Sequence, residues 1–78
     1  MEIFPGISTD PAVRFGKACL TGTRVDVATV VGAIASGESM QHVQEAYRLT
    51  RKQVLAALAY AAHLAAAQTP PADDGKAS

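Results

Sequence analysis

The sequence predicts a mainly α-helical domain, a tri-helical helix-turn-helix preceded by short N-terminal β-strands or a hairpin. Three observations carry this. Apolar residues Val27, Val30, Val31 and Ile34 recur at i, i+3, i+4, i+7, the spacing of one helix face. Ser39 and Thr50 each stand directly before an apolar-periodic run, where a helix start needs a side-chain acceptor. The first 25 residues instead mix Pro, Gly and β-branched residues around the turn signals S-T-D-P and T-G-T.

Taken in order, residues 1 to 25 read as two or three short strands or extended pieces. Within them Gly22 supplies a backbone conformation that other residues resist, and Thr23 and Arg24 follow it toward the first helix. Asp26 is the expected N-cap of that helix, and Gly37 in S-G-E-S ends it as a C′ residue. Ser39 caps a short second helix with Met40, Val43, Ala46 and Tyr47 inward. Thr50 and Gln53 then form a T-x-x-Q capping box, with Leu49 and Val54 at the two staple positions. The third helix runs from Arg51 to about Ala67, with Val54, Leu55, Leu58, Ala61, Ala62 and Ala65 inward. Tyr60 and Leu64 widen its apolar sector, so it needs cover on two sides: the other helices on one, the N-terminal segment or a second subunit on the other. Residues 68 to 78, Q-T-P-P-A-D-D-G-K-A-S, have the composition of a disordered tail.

Composition bounds the function. A chain of 78 residues, 49% hydrophobic and 18% charged, is one small domain with a modest core, and its single Cys19 excludes an internal disulfide. Self-association or a partner protein is the expected extra support. Cys19, between Ala18 and Leu20, reads as a buried inert thiol. The N-terminus lacks a basic, continuously apolar leader, and the longest apolar run is broken by His63, so a soluble cytoplasmic protein without membrane contact is expected. His42 and His63 are too isolated for a metal site, and the Gly-Lys of G-K-A-C-L-T-G-T-R comes first, not last, so it is no phosphate loop. With no paired carboxylates or Ser-His-Asp arrangement, neither enzymatic activity nor a cofactor is expected.

Net charge is zero, yet Arg48, Arg51 and Lys52 fall within five positions. In a tri-helical helix-turn-helix the third helix is the recognition helix, with its N-terminal residues at base edges. Thr50, Arg51, Lys52 and Gln53 stand there, with Arg48 beside them. Arg can read guanine, Gln can read adenine bidentately, and Lys can take a guanine edge or a phosphate. The outward face beyond, Ala56, Ala59, His63 and Ala66, offers few hydrogen bonds. The reading from a different class is a protein-interaction module that uses the same helices to scaffold or inhibit a partner without touching DNA.

Residues Ile7 to Ala61 carry a further signal: I-S-T-D-P, then a Gly-Lys segment, G-T-R before an apolar helix, a Gly-Glu-Ser turn, Tyr-Arg-Leu-Thr at the corner and A-L-A-Y-A on the last helix. This pattern resembles a small bacterial and archaeal family long catalogued as a domain of unknown function, whose members are described as VapB-type antitoxins or their homologues. Ala18 stands where that family usually has Pro, and Arg48 where Pro is frequent. The resemblance implies a helix-turn-helix antitoxin of a type II toxin-antitoxin system that represses its own operon and binds a PIN-like ribonuclease toxin. A homodimer is expected from the small core and from the need for two half-sites. Ile3, Phe4, Ile7, Val13 and Phe15 are the expected dimer surface, since short unpaired strands seek a partner edge. Arg24 is expected to be structural, its fork tying Asp10, Asp26 or Glu45 and nearby carbonyls together, in this chain or across a dimer; a phosphate contact is the minority reading.

Overall fold

A computed structural model describes residues 1 to 68. Three short strands, β1 (Glu2–Phe4), β2 (Ile7–Ser8) and β3 (Cys19–Leu20), precede helices α1 (Val27–Ala35), α2 (Met40–Tyr47) and α3 (Arg51–Gln68). The strands form an antiparallel sheet in the order β1-β2-β3, with Ile7 opposite Leu20 and Ser8 opposite Cys19. The mainly helical fold with an N-terminal sheet is therefore the one expected. Of the disordered tail expected over residues 68 to 78, residues 69 to 78 lie outside the described residues, and Gln68 is instead the last residue of α3.

Helix ends follow from local chemistry. Gly37, at φ 103°, ends α1 with its N–H on the Ile34 carbonyl (3.0 Å) and the Glu38 N–H on the Ala33 carbonyl (3.2 Å). These are the two bonds of a Schellman stop, and glycine adopts that φ without a Cβ clash. Ser39 caps α2 by accepting from the His42 N–H at 3.0 Å. At α3 the capping box is complete: Thr50 Oγ1 accepts from the Gln53 N–H (3.1 Å), and Gln53 Oε1 accepts from the Thr50 N–H (2.8 Å). The staple residues Leu49 and Val54 are both buried.

Asp26 departs from its expected role. It occupies the N-cap position of α1, but its carboxylate caps no helix N–H. Its backbone bridges to Cys19, and the freed Val27 N–H donates to the Ala18 carbonyl at 2.9 Å. The side chain, 4% exposed, lies 3.8 Å from Lys17 Nζ. A backbone acceptor thus does the capping, and the carboxylate is released to pair with a cation.

The core gathers Ile7, Leu20, Val27, Val30, Ala33, Val43, Leu49, Val54 and Ala57 where α3 packs on α1, α2, β2 and β3. Five residues depart from the expected inward set. Leu55 is 45% exposed, Ala46, Ala62 and Ala65 are exposed, and Ala57, unassigned from sequence, is fully buried. The inward stripe of α3 is Val54, Ala57, Leu58 and Ala61, rotated from the expected one. In so alanine-rich a helix several stripes have similar apolar content, and only the neighbours fix the phase. Length explains the exposed end: α3, with 18 residues, is about 27 Å long against about 13 Å for the 9-residue α1, so its last turns outrun their cover. No helix among the described residues is long and apolar enough to cross a membrane.

Candidate nucleic-acid interface

The turn from α2 to α3 sets the site. Arg48 ends α2 in the left-handed region (φ 57°, ψ 48°), and the Leu49 N–H reaches the Gln44 carbonyl at 2.8 Å. This closes the turn in three residues and buries Leu49, leaving Thr50, Arg51 and Lys52 exposed on the first turn of α3. The basic residues grouped by sequence are therefore together in space and open to solvent at a helix N-terminus, where the backbone favours an anion. Arg48 does more than add charge, since its backbone makes the corner. Proline, frequent at this point in the resembling pattern, holds φ near −65° and could not take this conformation.

Two features narrow what this surface can read. The Gln53 carboxamide oxygen is engaged by the Thr50 N–H, so a bidentate adenine contact competes with the helix cap; the Nε2 donor is the group left to offer. The face beyond the first turn, expected to point outward, is partly covered. The β1–β2 turn lies against it: Ala56 is half-buried, and a Cβ added to Gly6 would sit 3.1 Å from that of Ala56. Phe4 packs on Tyr60 and His63, with ring centroids 5.3 and 5.2 Å apart. Between this hairpin and the start of α3 runs an open groove floored by Ala56 and Ala59, with Lys52, Gln53 and Thr21 on its walls. Sequence reasoning missed this wall, because Gly6 and Ala56 are fifty positions apart and neither carries a pairing signal.

The Gly-Thr-Arg turn is built as expected up to its arginine. Gly22 has φ 81°, and the Thr23 N–H donates to the Leu20 carbonyl at 2.9 Å, closing a β-turn. Thr23 Oγ1 donates to the same carbonyl and accepts from the Val25 N–H. Arg24 is exposed and forms no ion pair with Asp10, Asp26 or Glu45, while Lys17 Nζ lies 3.8 Å from Asp26. The ion-pair tie expected of Arg24 is thus not made to these three carboxylates, and the arginine stands exposed just after the turn.

The expected dimer surface also divides. Ile7 is 0% exposed and belongs to this chain's own core, Phe4 packs on α3, and Val13 is half-buried. Only Ile3 and Phe15 of the five are exposed, Phe15 almost completely. β2 is the middle strand of the sheet, so its inward residue serves the core and no partner.

The architecture defines a small three-helix domain whose N-terminal sheet rests on its longest helix. The chain belongs to the family described as "Protein of unknown function (DUF433)", whose model matches residues 7–61. Among solved structures, it is similar to the X-ray crystal structure of Rv2018 from Mycobacterium tuberculosis, with 33% sequence identity and a TM-score of 0.61. The match covers 67% of this chain and 24% of that one, so this chain spans about a quarter of its structural relative. No curated protein matches.

Proposed function

We propose that this chain is an antitoxin-like DNA-binding protein of a type II toxin-antitoxin system, acting in the cytoplasm as a homodimer that represses its own operon and binds a PIN-like ribonuclease toxin. The observation that carries the reading is the exposed Arg51 and Lys52 on the capped first turn of α3, directly after a tight helix-helix corner. A dimer would present two such turns to two half-sites. Resemblance to antitoxins, not geometry, supports the toxin partner.

An anisotropy titration against duplex DNA from upstream of its own gene tests the proposal, run beside a folded Arg51→Ala/Lys52→Ala variant. Salt-sensitive binding in excess of that to random duplex, lost in the variant, is the expected result. Equal binding to both duplexes, or no effect of the variant, removes α3 as the reader. A second reading, the DNA-independent interaction module, draws on the exposed end of α3, which carries no Asp, Glu, Lys or Arg from Gln53 to Gln68. A partner held by that apolar surface would bind with little salt dependence.

A further inference from the structure

Two unusual features meet beside the Gly-Thr-Arg turn. Phe15 is 99% exposed and holds φ 57°, so a large aromatic ring is placed in water on a backbone conformation that side chains disfavour. It shares a concavity with Pro11, Ala12, Lys17 and Arg24, where no carboxylate is found among the described residues; Asp10 lines the neighbouring hollow that Lys17 and Arg24 also border. Lys17 lies 3.8 Å from Asp26, but its side chain is 61% exposed and keeps donors for another partner. Arg24 is held by none of the carboxylates near it in sequence. An unpaired guanidinium, a half-free ammonium and an open aromatic face form a set that suits a phosphate with its attached sugar.

The position of this set matters as much as its composition. The turn from Thr21 to Arg24 separates two hollows: Thr21 lines the groove at the start of α3, while Arg24 lines the Phe15 hollow. One turn therefore joins Lys52 on one side to Lys17 and Arg24 on the other. The geometry points to a second contact on nucleic acid, a backbone clamp in which Lys17 and Arg24 take phosphates flanking the bases met by α3 and Phe15 packs on a deoxyribose. This rests on the DNA-binding reading and deepens it by assigning the phosphate-positioning residues. Phe15 then serves the nucleic acid instead of a dimer surface.

The test uses the full chain, labelled duplex from upstream of its own gene and random duplex, titrated from low to moderate salt. Lys17→Gln/Arg24→Gln should weaken binding to both duplexes about equally and reduce the log-log salt slope by about 1.8, since each lost phosphate contact removes about 0.9. Phe15→Ala should weaken binding with the slope unchanged. Melting curves and sedimentation accompany each variant. An unchanged slope in Lys17→Gln/Arg24→Gln, with binding still lost in Arg51→Ala/Lys52→Ala, overturns the clamp alone. Random-duplex binding that survives in Arg51→Ala/Lys52→Ala and depends on Lys17 and Arg24 supports the clamp even if α3 reads nothing. Absence of binding by the wild type overturns both. Capture of polyglutamate with higher affinity than duplex, or weaker self-association of Phe15→Ala, assigns the hollow to protein and also overturns the clamp.

Discussion

Removing the α3 cap perturbs the element on which α1, α2, β2 and β3 all pack. Thr50→Ala deletes the acceptor of the Gln53 N–H and leaves the packed staple, Leu49 and Val54, unchanged. Loss of a threonine N-cap costs about 1 kcal/mol, within a range of about 0.5–2. For a domain of this size, about 1 kcal/mol lowers Tm by about 4–8 °C. Gln53→Ala removes the reciprocal bond to the Thr50 N–H, an exposed donor that water can partly satisfy, and should cost about half as much. Because the two bonds share one geometry, the double variant should lose less than the sum of the single ones. Thr50→Ser, which keeps the oxygen, should melt close to wild type. Thermal and urea unfolding followed by circular dichroism read all four, with an unchanged m-value showing that stability alone has moved. A Thr50→Ala variant that melts with wild type, or a Thr50→Ser variant as damaged as Thr50→Ala, would refute the capping argument.

Backbone sign gives a second set of tests. At Arg48 (φ 57°), Arg48→Gly should raise stability by about 0.5–1 kcal/mol and Arg48→Pro lower it by more than about 1 kcal/mol, compared by urea midpoints. Gly6→Ala should cost about 2 kcal/mol, because the new Cβ meets Ala56 at 3.1 Å on a φ of +82°; a neutral thermal scan would show that the hairpin does not lie on α3. Phe15→Gly removes a strained conformation and no packing, so Tm should rise while affinity for duplex falls. Cys19, 5% exposed, should react with Ellman's reagent only as fast as the domain opens, and immediate reaction in native buffer would contradict its burial.

The capping box, the Gly37 stop, the Ser39 cap and the positive φ at Gly22 were readable from residue order, because each depends on groups within six positions of one another. The same local reasoning placed Arg51 and Lys52 on an exposed first turn. It failed at Asp26, where a carbonyl from the preceding strand region met the Val27 N–H and freed the carboxylate. It failed also at Ile7, where alternation in a short strand does not say which neighbour covers its apolar side.

Sequence by itself determined the three α-helices, the stop of α1, the starts of α2 and α3, and the clustering of charge at one corner, since hydrogen bonds between near neighbours decide those. Tertiary structure alone decided the rotation of α3, which buries Ala57 and exposes Leu55; the hairpin laid over Ala56; and the meeting of Phe15, Lys17 and Arg24 around one hollow. Alanine-rich helices have no strongly preferred apolar face, and contacts across the chain carry no local signature, so packing had to choose among arrangements that the order of residues leaves nearly equal.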